Sequence, residues 1–326
     1  MEIKVKCPAK TTSALGEENE PLEMRRPELV SGSQELRVKC PAKINLTLEV
    51  LNKREDGFHN IQSVMQTIDL FDILTIRVEK SEKFEIKLSG TSTEIPYDER
   101  NLVYKAIELF FKAKSNENTF SFLPFPFYLI SVHIEKNIPI SAGLAGGSTD
   151  AAGVLWGLNK LFENQLSDEK LHAICAQLGS DLNFCLEGGC QLATSRGEIL
   201  EKLPFYEFEL SLIKPKNVGI SAKEAYTKFS QLENKPNLNM TKELVEVLKS
   251  GEADVSDIDY SLHNDLELAL IEDYKEFQAI KMEYPEAIMS GSGSTFFMLE
   301  NNFKDFDNTF WIKSNLKSIP YGVCEA

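Results

Sequence analysis

The chain has 326 residues, 42% of them hydrophobic, and carries 35 basic against 50 acidic side chains for a net charge of −15. That length suits two domains better than one, and the charge argues against a broad nucleic-acid or anionic-membrane surface. No apolar run reaches the roughly 18 residues of a membrane-spanning helix, and the acidic, apolar-poor N-terminus does not read as a signal or transit peptide.

At the N-terminus, residues 2–10 (EIKVKCPAK) return at 35–43 as ELRVKCPAK, with seven of nine positions identical. Only the second copy continues into an alternating run, Ile44 to Val50, which predicts a strand. The domain is therefore expected to start near residue 35. Residues 1–33 are expected to be a mobile, dispensable extension, the alternative being an extra edge strand. A turn at Asp56-Gly57 follows. Strands are predicted over 61–67 and 70–78, separated by Asp69, and over 84–88. A helix is predicted from Asn101 through Phe110. The aromatic run 120–128 reads as core and strand packing.

Residues 127–135 alternate as a strand, and the next stretch organises the chain. Ile138 to Gly153 reads IPISAGLAGGSTDAAG, and Gly143, Gly146 and Gly147 stand just before a helical pattern of Ala151, Val154, Leu155, Leu158, Leu161 and Phe162. A glycine loop between strand and helix lets backbone approach a ligand, and a helix start presents unpaired N–H groups, so the stretch reads as an anion site, most simply for phosphate. A glycine-rich turn that only links strand to helix is the plainer alternative. The P-loop does not fit, because no lysine follows until Lys160, and the glycine spacing is not that of a dinucleotide fingerprint.

Further on, Ser167 caps a helix that Gly179 stops. Ser180 to Phe184 leads to a hairpin around Arg196-Gly197. Strand 209–214, helices 221–232 and 241–249, a long helix 264–284, a second glycine loop at 290–294 and strand 296–299 complete the pattern. Strands and helices intermixed in two segments predict an α+β fold. The six cysteines, Cys7, Cys40, Cys175, Cys185, Cys190 and Cys324, form no C-x-x-C and no zinc spacing, so reduced thiols and a cytoplasmic location are expected.

Five stretches, taken in order, carry a resemblance: Pro41-Ala42-Lys43-Ile44-Asn45-Leu46, Asp56-Gly57-Phe58-His59, the Gly143 loop, Gly179-Ser180-Asp181 and Ser290 to Ser294. Together, over residues 35 to about 300, they resemble the GHMP kinase superfamily, and the Asp56–His59 turn resembles the 4-diphosphocytidyl-2-C-methyl-D-erythritol kinase family within it. The resemblance implies ATP- and Mg²⁺-dependent phosphorylation of the 2-hydroxyl of that small-molecule substrate, in the non-mevalonate route to isoprenoids. It implies two domains, an ATP-binding catalytic domain like ribosomal protein S5 domain 2 over 34–192 and a ferredoxin-like substrate-binding domain over 193–326, in a monomer or homodimer.

By the same resemblance Asp181 is the base and Lys43 pairs with it and polarises the hydroxyl, while Asn45 shares the Lys43 face of its strand. Ile140, Ser141, Ala142, Gly143, Leu144, Ala145, Gly146, Gly147, Ser148 and Thr149 cradle the ATP phosphates, with Asn101 near the adenine and Ser148 the candidate metal ligand. Phe58 and His59 hold the cytosine, Phe58 replacing the commoner tyrosine, with Phe184 as a second ring. Gly291 and Ser292 close on the substrates, and the tract at Asn264 is a structural helix start. Other readings are a kinase of mevalonate- or homoserine-type alcohols, which the Asp56–His59 turn counts against, and a nucleotide-binding regulator, which Lys43 and Asp181 count against. An RNA-binding module on a related fold conflicts with the charge. Deleting residues 1–33 is expected to leave the folded fraction and turnover unchanged, checked by circular dichroism and a kinase assay on the truncated chain.

Overall fold

The computed structural model describes residues 33–115, 127–236, 238–304 and 306–326. The readings made for residues 1–32 and for the aromatic run 120–126 lie outside them. Strands β1 (Gln34–Asn45), β2 (Thr47–Lys53), β3 (His59–Ser81) and β4 (Glu85–Gly90) precede α1 (Leu102–Ser115) and β5 (Phe127–Glu135). The glycine loop opens α2 (Gly146–Leu161), followed by α3 (Asp168–Leu178) and the short α4 (Leu182–Glu187). The hairpin is β6 (Cys190–Ser195) and β7 (Ile199–Lys202). Then come β8 (Glu209–Pro215), α5 (Ala222–Ser230), α6 (Met240–Ser250), α7 (Val255–Tyr260), β9 (His263–Asn264) and α8 (Asp265–Leu268). Last are α9 (Lys275–Glu283), β10 (Ile288–Met289), β11 (Phe296–Leu299), β12 (Phe310–Lys317) and β13 (Cys324–Glu325).

The strands form two sheets. One holds β1 to β7 with β9 and β13, and the other runs β10-β11-β8-β12. The axis of the first is β3, which pairs antiparallel with β1, β2, β5 and β6. The sequence predicted two strands here, broken at Asp69. The chain instead continues as one strand with a bulge at that point: Pro41 pairs with Phe71 and its neighbour Ala42 with Ile68, which leaves Asp69 and Leu70 of β3 outside the ladder. Asp69 accepts the Lys317 amide at 2.7 Å. The predicted long helix over 264–284 is also broken. Asn264 sits in extended backbone and caps α8 by accepting the Leu266 amide, and a turn separates α8 from α9. The expected boundary between residues 192 and 193 falls inside β6, which with β7 belongs to the first sheet, so the change of sheet comes between β7 and β8.

Helices α1, α2 and α3 cover one face of the first sheet through Phe110, Val154, Leu158 and Ile174, packed on Val38, Leu74, Ile76 and Val132. Helix α2 lies unusually close to the strands, because glycines face them. A Cβ added at Gly153 would stand 2.2 Å from Cys40 Sγ, and one at Gly157 would stand 2.4 Å from Ile76 Cδ1. The second sheet packs with α5 and α9 around Phe229, Phe277 and Phe296. Among the described residues no helix is long and apolar enough to cross a membrane.

Gly153→Ala is expected to cost about 1–3 kcal/mol of stability, the usual range for overpacking a core. Adding Cys40→Ala removes the atom it strikes and should recover part of that loss. Urea unfolding of the two single variants and the double checks this, and purely additive costs would place the strain elsewhere.

Candidate active site

The glycine loop does two jobs. Its first half serves as structure: Leu144 O accepts the Lys43 amide, Ala142 O accepts the Thr295 amide, and Gly143 O accepts the Ser290 hydroxyl at 3.1 Å. A Cβ on Gly143, where φ is +73°, would stand 2.0 Å from Ser290 O. This glycine therefore brings the two glycine loops into backbone contact. Its second half faces a cleft: Ala145, Gly146, Gly147 and Ser148 line it, and a Cβ on Gly147 would meet nothing within 4 Å. Here α2 begins, capped by Ala145 in left-handed backbone with no side-chain capping bond. Its first amides are the free donors that an anion site needs.

The cleft holds about 1100 Å³, more than the roughly 300–1,000 Å³ of a pocket for one drug-sized ligand. Lys43, Asn45, Phe58, His59, Asn101, Ile140 to Ser148, Asp181, Gly291 and Ser292 all line it. Two expected members do not. Phe184 is fully buried against Met65 and Ala193, because it lies on the inward face of α4. Thr149 is also fully buried, one residue into the helix beyond Ser148.

Lys43 and Asp181 come to the cleft from different elements, β1 and the start of α4. Asp181 precedes α4 at its N-cap position, yet its carboxylate makes no capping hydrogen bond and so remains available to the cleft. Lys43 was expected to pair with it, but no ion pair within 4.0 Å joins them among the described residues. The Lys43 ammonium donates instead to Asn45 Oδ1 at 2.5 Å. Hydrogen-bond direction fixes that amide. The hydroxyl of the buried Ser63 gives its hydrogen to Thr47 O at 2.5 Å, so it can only accept from Asn45 Nδ2, at 2.7 Å, which turns Oδ1 toward Lys43. Asn45 thus takes up one donor of the Lys43 ammonium.

Beside the glycine loop sits a buried charge cluster. Lys136 pairs with Asp72 and, at 2.9 Å, with Asp150. Asp72 also accepts the amides of Asn137 and Ile138, which fixes the exit of β5. Burial pushes the Asp150 carboxyl up to about 7, against the pull of Lys136 and with the help of Asp72. Burial works against the Lys136 ammonium too, but the two carboxylates raise its pKa above the ordinary value. Asn101 lines the cleft as a cap: Oδ1 accepts the Val103 amide and Nδ2 donates to Pro96 O.

At the far end, Phe58 is half exposed, with the Arg196 guanidinium 5.1 Å from its ring centre. His59 stacks on Tyr226, centroids 5.5 Å apart and planes 16° off parallel. Burial, with Lys53 and Lys235 nearby, lowers the His59 pKa. Tyr226, Ser230 and Lys223 of α5 and Arg196 of the hairpin line this end and went unnoticed in the sequence. A tyrosine and a serine within an ordinary helical pattern carry no signal of their own. The hairpin at Arg196 was legible, but its reach into the cleft was not.

The second glycine loop closes the floor. Asn264 donates to Met289 O and Gly291 O, so this tract, read as a plain helix start, also holds the loop. A Cβ at Gly291, where φ is +55°, would stand 2.9 Å from Gly143 O and 3.1 Å from Lys43 Nζ. Among the described residues no group of three His, Cys, Asp or Glu side chains could hold a metal ion.

The GHMP kinases N terminal domain family matches residues 101–190, the stretch from α1 to the start of β6. A 4-diphosphocytidyl-2-C-methyl-D-erythritol kinase of Clostridioides difficile (strain 630) is 39% identical over 282 residues, covering 83% of this chain and 88% of its own length. The chain belongs to the 4-diphosphocytidyl-2-C-methyl-D-erythritol kinase family. A crystal structure of a 4-(cytidine 5'-diphospho)-2C-methyl-D-erythritol kinase superposes with a TM-score of 0.62 at 29% identity, over 81% of this chain and 90% of that one. A homoserine kinase from Cytophaga hutchinsonii superposes at 0.66 with 17% identity, over 92% and 99%, which speaks for the fold alone. The 4-diphosphocytidyl-2-C-methyl-D-erythritol kinase family thus accounts for the α+β fold.

Gly291→Ala should lower kcat at least about tenfold, because the side chain crowds Lys43 and a displacement near the chemistry is costly. Steady-state kinetics checks this, and wild-type turnover would mean that the loop yields without moving Lys43.

Proposed function

We propose that this chain transfers the γ-phosphoryl group of ATP to the 2-hydroxyl of 4-diphosphocytidyl-2-C-methyl-D-erythritol, a step of the non-mevalonate route to isoprenoids. The observation that carries the reading is one cleft lined together by the loop amides, the Phe58, His59 and Tyr226 rings, Asp181 and Lys43. Phosphoryl transfer asks mainly for positioning and charge stabilisation. Asp181 takes the proton of the 2-hydroxyl as its oxygen bonds to the γ-phosphorus, and the bond to the ADP oxygen breaks. Lys43, held by Asn45, lies on the other side of that hydroxyl and offsets its developing charge. The loop amides from 145 to 148 take the donor phosphates, and Asn101 marks the adenine end.

The donor set also fits a magnesium ion held mostly by phosphate oxygens and water, with Ser148 as its protein ligand. Asp150 Oδ1, buried and unpartnered among the described residues, adds a carboxylate oxygen at the start of α2. When bound, the ion offsets charge on the donor phosphates.

The rings discriminate between substrates of this fold. A pyrimidine needs a stacking face and a hydrogen-bonding edge, and Phe58, Tyr226 and His59 supply both. Mevalonate and homoserine offer nothing for them to bind. Asp181→Asn keeps the shape but removes the base, so kcat should fall by about 10²- to 10⁴-fold. A coupled ADP-release assay with the diphosphocytidyl acceptor tests this, run in parallel with mevalonate and homoserine. Unchanged turnover by the variant removes Asp181 from the chemistry, and turnover of either alternative alcohol overturns the substrate.

A further inference from the structure

His59 has two ring nitrogens, and which of them carries the hydrogen decides what the ring can recognise. One of them is spoken for: Nε2 lies 3.1 Å from the Ser230 hydroxyl. That hydroxyl has a single hydrogen, and it donates this hydrogen to the carbonyl of Tyr226, one turn earlier on α5, at 2.8 Å. A carbonyl cannot donate, so the direction of the chain is set from that end. Ser230 offers His59 only a lone pair, and Nε2 must therefore bear the hydrogen. Burial and the two neighbouring lysines disfavour the charged form of the ring, and it stacks on Tyr226 with planes 16° off parallel. That leaves Nδ1 as a bare acceptor, with no protein partner among the described residues, on a side chain that lines the cleft.

We infer that Ser230 is a positioning residue for base specificity: by fixing the Nε2–H tautomer of His59 it leaves Nδ1 to accept from the exocyclic amine of a cytosine, and so selects against uracil. Cytosine presents an amine donor where uracil presents a carbonyl acceptor. Two acceptors facing each other leave both unpaired, which costs affinity, whereas the amine is satisfied. Ser230 makes no contact with the base and acts only through the imidazole. The inference rests on the cytidyl reading of the cleft, and it deepens that reading by naming what tells one pyrimidine from the other.

The test is binding of cytidine diphosphate and uridine diphosphate to the full chain by calorimetry, for wild type, Ser230→Ala and Ser230→Thr. Wild type should prefer the cytidine ligand. Ser230→Ala frees the tautomer and should shrink that preference roughly tenfold, chiefly by letting the uridine ligand bind through Nδ1–H. Ser230→Thr keeps the hydroxyl and should keep the preference. Long-range ¹⁵N–¹H spectra of the imidazole provide a readout that needs no ligand: Nε2–H in wild type and a mixture of tautomers in Ser230→Ala. An Nδ1–H imidazole in wild type, or an equal preference in wild type and Ser230→Ala, overturns the inference. If wild type binds neither nucleotide, the cytidyl reading of the cleft fails instead, and the spectra still decide the tautomer.

Discussion

The two glycine loops meet backbone to backbone, Gly143 against Ser290, and the placing of Lys43 in the cleft follows from that contact. The loops come from distant parts of the chain and from different layers, one before α2 and the other before β11. A side chain at either glycine would push them apart. Lys43 lies beneath the junction, its amide bound to Leu144 O and its ammonium 3.1 Å from where a Gly291 side chain would begin. Asn264 ties the second loop down from the other side. The lysine is held by packing on its backbone and by Asn45 at its tip, and the base need not hold it.

Charge is arranged on the same plan. The molecule is strongly acidic, yet its cleft is lined by Lys43, Lys53, Arg100, Lys136, Lys223 and Arg196 against only Asp56, Asp150 and Asp181. A local field of one sign in a low-dielectric cleft draws in polyanions despite the opposite sign of the whole. Lys136 is partly neutralised by its two carboxylates, so the loop amides of α2 are not crowded by a full positive charge. The acidic charge thus lies outside the cleft, whose own lining is basic on balance.

Much of this was legible in the sequence, and the misses have physical causes. Strand 127–135, the Ser167 cap, the Gly179 stop and the Arg196 hairpin matched because local rules decide them. Lys43, Asn45, Phe58, His59 and Asp181, all of which line the cleft, were legible because they lie in short contiguous motifs. Phe184 was misplaced because sequence adjacency to Asp181 says nothing about which face of a six-residue helix points inward. Tyr226 was missed for the converse reason: it reaches His59 only through folding, from more than 160 positions away. Asn264 was legible as a helix start, which its extended N-cap backbone bears out, but its second task, pinning the Gly291 loop, was not.

The pairing of β13 with β1 has a consequence in time. Val38 and Lys39, a few residues before the reacting lysine, are bordered by Cys324 and Glu325, and Thr67 O accepts the Ile319 amide. Ribosomes release residues at about 5–20 per second, so the early strands wait many seconds for the partner that completes their sheet. During that interval β1 presents an open edge, the kind that invites pairing with another chain. The strand that bears Lys43 is thus sealed along that edge only after Cys324 and Glu325 have been made.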